Sequence, residues 1–365
     1  MKRSIALLIS SGLAVGAAHA QSSVVLFGAV DTSVRYISYS GKGSAVTMGS
    51  FGNSPSMIGF LGTEDLGGGL QAVFRLEAAY VPATGQSATG AFGLPFFNRS
   101  SWVGLKSSKY GEVHLGRDWN PAYVNLYLFD PTYNLGVGNL VHYSNLLNQG
   151  LVPNYYWNSN TITYYTPSNM GGFSGIFQVS VRGDGTGCNG NVVCTTTIGT
   201  YVGGRLAYEA GPLTISAALA QTGISSNTRA TSPTGKWTQA NVGMAYDFGI
   251  AKVLLSLNTD KFINLRETRG SIAAQIPIGG DYAWISYEGS RVDSSAQAAG
   301  VYGAQGGGMG FVHNLSKRTA VYASLAYLKN RGKGTLSVED VGSYSTNTPP
   351  GGVTTGCEIG LRHTF

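Results

Sequence analysis

The chain has 365 residues, of which only 12% are charged, with 53 glycines and 21 tyrosines beside 14 phenylalanines and 5 tryptophans. Its aromatic content excludes a disordered chain, its glycines keep no three-residue period and so exclude collagen, and its formal charge of +6 forms no patch or run of the kind nucleic-acid binding requires. Many glycines, many tyrosines and few charges suit a β protein that presents apolar surface to something other than water.

The first 20 residues, MKRSIALLISSGLAVGAAHA, carry Lys2 and Arg3, an apolar middle and Ala18-His19-Ala20. This pattern predicts a secretory signal peptide over 1–20, cut before Gln21, which lowers the net charge to about +4. The alternative, a membrane anchor, is disfavoured because the apolar run is shorter than the ~20 residues that span a bilayer. No later segment is long, apolar and uncharged enough for a transmembrane helix. A closed β-barrel also satisfies every backbone group inside a bilayer, so a membrane protein remains open.

From Gln21 onward the sequence alternates with a two-residue period over segments of ~8–13 residues, the length and rhythm of transmembrane strands. The first is VVLFGAVDTSVRY (24–36). In KWTQANVGMAYDF (236–248), Thr238, Ala240, Val242, Met244, Tyr246 and Phe248 share one face, and Trp237, Gln239, Asn241, Gly243 and Asp247 the other. TISAALAQ, AKVLLSLNTDK and TRGSIAAQIPI repeat the rhythm. Short connections with turn chemistry (EDLGGG, SSKYG, SNMGG, EAGP, DFG, IGGD, NLSKR) alternate with longer ones near 38–54, 81–97, 119–160, 183–199, 222–235, 260–266, 290–299 and 329–352. Seven short turns, eight long loops and 16 strands put all long loops on one side. The fold class predicted is all-β, a 16-stranded antiparallel transmembrane β-barrel over 21–365. A soluble sandwich would need a face rich in Lys and Glu, and the polar face here is mostly Ser, Thr, Gly and Gln.

Among possible sites, SGKGS (40–44) lacks the full phosphate-loop pattern, and the Gly-rich GAQGGGMGF (303–311) opens no helix. His114, His142, His313 and His363 are far apart, with no H-E-x-x-H and no G-x-S-x-G, so no catalytic set, metal or cofactor is expected. Cys188 and Cys194 bracket a polar NGNVV, a spacing that suits a disulfide at a loop tip; a metal site would need further ligands nearby. Cys357 belongs to the last strand and is expected to face lipid. That strand, TTGCEIGLRHTF, ends on Phe365, which is expected to sit in the interfacial girdle while its strand pairs with the first.

LFGAVDTSV, IGFLGTEDLGGGLQAVFRLE, NRSSWVGLKSSKYGEVHLGRD and the closing GLRHTF together resemble the general porins of Gram-negative outer membranes, of the beta-proteobacterial type. The resemblance implies a passive channel for ions and small hydrophilic solutes, a homotrimer, and a third loop (about 119–160) folded inward as a constriction. It also implies contact with outer-membrane lipids and lipopolysaccharide, and Phe365 as a signal read by the barrel assembly machinery. The second loop, VPATGQSATGAFGLPFF, is plausible as a trimer latch. Arg99 matches a rung of the family's basic ladder by position, and Arg35 and Arg75 fall on the lumenal phase of their strands. Arg117, in LGRD, matches an arginine just before the inward loop and is expected to anchor it. Two departures weaken the charge pattern: Met57 replaces an arginine, and Asp130 is the sole acid between 119 and 160. With Arg35, Arg75 and Arg99 facing Asp130 and, from the wall, Glu77 and Asp31, only a mild anion preference is expected. The alternatives are a substrate-specific channel, a barrel enzyme and an adhesin.

Overall fold

A computed structural model describes residues 23–88, 96–144, 156–181, 201–224, 235–339 and 348–365. The expected signal segment and the Cys188–Cys194 pair lie outside the described residues. The first half of the sheet comprises β1 (Ser23–Tyr39), β2 (Gly43–Ser50), β3 (Met57–Gly67), β4 (Leu70–Val81), β5 (Gln86–Ser87), β6 (Ser101–Ser107), β7 (Gly111–Trp119), β8 (Trp157–Tyr165) and β9 (Phe173–Ser180). The second half comprises β10 (Tyr201–Ala210), β11 (Leu213–Ile224), β12 (Gly235–Asp247), β13 (Lys252–Phe262), β14 (Leu265–Ile278), β15 (Asp281–Val292), β16 (Ala304–Asn314), β17 (Thr319–Asn330) and β18 (Val353–Thr364).

The wall has 16 positions, all antiparallel. β1 pairs along its upper half with β2 and along its lower half with β3, so these two share one position. β5 is a two-residue return against the top of β4 and adds nothing to the wall. The sheet closes through β1 and β18, in register from Ala29↔Thr364 to Tyr39↔Thr354. Phe365 adds two backbone bonds to Gly28, N–H to carbonyl in both directions, at 3.0 and 3.1 Å. Its ring covers Gly28, where a Cβ would meet ring carbons 2.6 Å away.

Each strand sorts its side chains by alternation. On β17, Ala320, Tyr322, Ser324, Ala326, Leu328 and Asn330 are buried toward the interior, while Val321, Leu325 and Tyr327 face out. On β12, the face carrying Trp237, Gln239 and Asn241 points inward and Ala240, Val242 and Met244 point outward. An apolar exterior around a closed hydrogen-bond ladder is what lipid requires.

The seven expected short turns all appear, at the end where β1 begins and β18 finishes. Two expected long loops do not. Residues 38–54 form a tight turn in which Gly41 and Gly43 adopt φ of 71° and 86°, followed by β2 and a kink at 51–56. The Asp31 carboxylate holds the kink by accepting from the amides of Gly52, Asn53 and Ser54 at 2.9–3.0 Å. The 260–266 connection shrinks to Ile263-Asn264, with Ile263 at φ 59°.

Candidate functional site

The stretch between β7 and β8 turns into the barrel. It begins with a helix, α1 (Pro121–Leu128), whose N-cap Asn120 accepts from the Ala122 amide at 2.9 Å, with Pro121 in the first turn. Asn-Pro is a sound helix start, since Asn satisfies a free amide and Pro lacks one. The Asn120-Pro121 pair is thus the local sequence signal for a helix inside the inward loop.

α1 is fixed to the lumenal face of β10–β12 by polar side chains. Asn120 donates to Gln239 at 3.1 Å and accepts from the Tyr201 hydroxyl at 2.8 Å. Asn125 donates to Asn241 at 2.7 Å, accepts from Arg205 Nε at 3.0 Å and meets the Ser216 hydroxyl. Beyond the helix, Phe129 lies flat on Gly243, where a Cβ would come 2.0 Å from its ring, and packs with Ala245, Leu254 and Ala273. The loop then crosses to the seam of the barrel. Gly136 donates to the Phe51 carbonyl at 2.8 Å and Val137 to Glu358 Oε1 at 2.9 Å. Finally, Tyr143 donates to the Tyr327 carbonyl at 2.9 Å.

The expected site residues separate into distinct groups. Arg35 is 3% exposed, and its Nε lies 2.7 Å from Glu358 Oε2, the carboxylate whose other oxygen holds Val137. It braces the seam beneath the loop. Asp130 is 1% exposed and holds the loop's own turn, accepting from the Thr132 amide (2.8 Å) and hydroxyl (2.7 Å) and the Leu140 amide (2.7 Å). Desolvation raises its pKa from the usual 3.8 to about 6. Arg117 donates through Nε and Nη2 to the Asn98 carbonyl (3.1 and 2.9 Å) and through Nη1 to Ser159 Oγ (2.8 Å). It ties the end of the second loop to the strand on which the third loop returns.

Arg75 and Arg99 come together on Glu77. Arg75 donates through Nε and Nη2 to Glu77 Oε1 (2.9 and 2.6 Å), and Arg99 Nε lies 3.5 Å from Oε2. The Glu77 side chain is 1% exposed, Arg99 7% and Arg75 36%, so Arg75 presents the charge that meets water. Its guanidinium stands 5.0 Å from the Phe27 ring centroid, and Arg99 lies over Trp119 and Trp157 at 5.3 and 4.8 Å. The loop's more exposed side chains are Leu128 and Tyr133, with Tyr127 half-buried, so no acid of the described loop faces these cations.

The sequence reading missed a brace on β6–β8. His114 contacts Asp118 Oδ2 through Nδ1 and Glu112 Oε1 through Nε2, both at 2.7 Å, and stacks on Trp102 at 3.5 Å between ring centroids. The Tyr165 hydroxyl donates to Asp118 at 3.0 Å. The Glu-x-His spacing at 112 and 114 places both side chains on one face of a strand, which is the signal that could have found it. Cys357 is a free, half-buried thiol.

Residues 5–333 match the family described as Gram-negative porin. The chain belongs to the Gram-negative porins. It is 37% identical over 377 residues to outer membrane porin protein 32 of Delftia acidovorans, with 100% of each chain covered. A solved structure titled as an anion-selective porin from Comamonas acidovorans superposes with a TM-score of 0.77 at 34% identity, covering 94% of this chain and 100% of that one. OmpT of Vibrio cholerae, solved in a trimer form, gives a TM-score of 0.63 at 15% identity over 94% of this chain and 99% of that one, a likeness of fold alone. As a porin, this barrel is a passive channel of the outer membrane, and its short turns face the periplasm.

Proposed function

We propose that this porin passes ions and small hydrophilic solutes with a mild preference for anions, and that Arg75 is the residue that sets it. The observation that carries this reading is the uneven charge count at the narrowed lumen. Two guanidiniums share one carboxylate, Arg75 stays open to water, and the loop offers amide, aromatic and aliphatic side chains instead of acids. Low-dielectric walls concentrate the field of such a charge. The anion-selective title of the relative from Comamonas acidovorans supports the same sign.

No chemical step is assigned: the work is positioning, hydration and charge. The working unit in this reading is a homotrimer, embedded in outer-membrane lipids and lipopolysaccharide and delivered by the barrel assembly machinery. Unheated electrophoresis and chemical crosslinking test the trimer.

The channel reading is tested by zero-current potential in a planar bilayer under a roughly tenfold KCl gradient. The expected sign is that of chloride, with a permeability ratio of the order of a few-fold that shrinks as salt rises. A potential of cation sign at low salt overturns the preference. Absence of conductance overturns the channel and favours adhesion.

A further inference from the structure

We propose that the inward loop and the wall beside it form a subsite for small planar aromatic carboxylates, with the rings of Tyr127 and Tyr133 taking the aromatic face and Arg362 the carboxylate. This deepens the anion-preferring channel proposed above and rests on that reading. Arg75 acts on every anion, and the two tyrosines with Arg362 add a preference among carboxylates.

Along the loop the aromatic side chains form a continuous run. Trp119 stacks on Tyr123 at 5.6 Å between centroids with planes 2° apart, Tyr127 follows 6.3 Å from Tyr123, and Tyr133 lies 5.1 Å from Tyr127 at 41°. The run opens to water at its far end: Tyr123 is buried, Tyr127 half-buried and Tyr133 38% exposed. Tyr133 and Asn134 hold φ of 54° and 59°, a left-handed conformation that residues other than glycine seldom adopt. Strained backbone of this kind gathers at ligand sites. An aromatic ring held out into the lumen by such a turn points to an occupant that stacks on it.

The neighbouring wall supplies the charge. The Tyr282 hydroxyl accepts from Asn53 Nδ2 at 3.0 Å and lies within electrostatic reach of both Tyr133 and Arg362. Arg362 is half-buried on the inner face of β18 and donates through Nη2 to Asn314 Oδ1 at 3.4 Å, while its Nε makes no hydrogen bond. Its cross-strand partner Asp31 shares the inner face but is already taken, accepting from the amides of Gly52, Asn53 and Ser54 and from the Tyr322 hydroxyl at 2.7 Å. Among the described residues Arg362 forms no ion pair. A neutral sugar would use the tyrosines and leave this guanidinium unmatched, and a small inorganic anion would leave the rings bare. An aromatic carboxylate satisfies both, its carboxylate meeting the guanidinium through charge-assisted hydrogen bonds.

The test uses the purified porin in a planar bilayer, with chloride current titrated against benzoate and against cyclohexanecarboxylate, which has the same charge and a ring of the same size that is puckered and saturated. The half-blocking concentration is the readout. Benzoate should block wild type at a roughly two- to tenfold lower concentration, the share that ring stacking contributes. Y127L/Y133L should lose that difference, whereas Y127F/Y133F, which keeps the rings, should retain it. R362Q should weaken benzoate block severalfold. Equal block of wild type by the two acids, unchanged benzoate block in Y127L/Y133L or in R362Q, or loss of the difference in Y127F/Y133F overturns the proposal. Unheated electrophoretic mobility shows that each variant barrel is folded. A channel of chloride sign that treats the two acids alike sinks this subsite alone, while a potential of cation sign sinks the preference on which it rests.

Discussion

At the residue scale, the phase of a side chain was legible and its partner was not. Alternation alone put Arg35 and Arg75 on the inner face, and both are there. What distinguishes them is a carboxylate 323 residues from Arg35 in sequence, which the closing of the barrel brings to 2.7 Å. No local pattern announces such a contact. Arg75 has its acid two residues away on the same strand face, yet keeps a third of its side chain in contact with water. The two arginines therefore differ in what their loss should do. Arg75→Ser should reduce the anion preference at low salt, by a few-fold in permeability ratio, with a smaller loss of thermal stability than Arg35→Ser, because the buried Glu77 that it leaves keeps Arg99 3.5 Å away. Arg35→Ser should instead take from the buried Glu358 the guanidinium 2.7 Å from it, at a cost of about 3–5 kcal/mol. Zero-current potentials paired with heat-denaturation midpoints separate the two. An Arg75→Ser channel of unchanged selectivity would remove the role assigned to that residue.

At the scale of elements, wall strands could be read because lipid outside and polar contents inside impose a two-residue rhythm. The connections were harder. Ile263 bends with a positive φ that β-branched residues avoid, so the tight turn there carries no Asn-Gly signature. The inward loop was legible as an element, but its docking was not, since polar side chains from three strands receive α1: Tyr201 and Arg205 from β10, Ser216 from β11, and Gln239 and Asn241 from β12. Within that loop Asp130 supplies a pH dependence. Burial holds its pKa at about 6, above the 3.8 of the free side chain. The folded loop therefore binds a proton more readily than a released one. The contribution is fully present below about pH 4 and is lost as pH rises through about 6, a change of the order of 3 kcal/mol. Single-channel records of wild type should grow noisier between pH 4 and pH 7 as the loop loosens. Asp130→Asn should flatten that trend. A pH trend equal in both proteins would assign it to other groups.

At the scale of the whole molecule, the sequence carried the closed barrel because every segment repeated one message, and only the counting of positions needed coordinates. The kink at 51–56 splits one wall position into β2 and β3, and the two-residue β5 adds a strand outside the wall. Closure runs along β1 and β18 from Ala29↔Thr364 to Tyr39↔Thr354, and the last residue extends it by one pair at the periplasmic end. Phe365 contributes two backbone bonds to Gly28 and a ring lying over it. In Phe365→Ala both backbone bonds survive, and the cost is confined to a ring already 41% exposed. In detergent that loss should amount to about 1–2 kcal/mol. The refolded variant should therefore keep wild-type conductance and a denaturation midpoint within a few degrees of wild type. In cells its yield in the outer membrane should fall severalfold if the aromatic end is what the assembly machinery recognises. The two measurements together decide the matter. A large defect in vitro would make Phe365 a structural clasp, while normal yield in cells would remove its part in recognition and leave closure as its sole contribution.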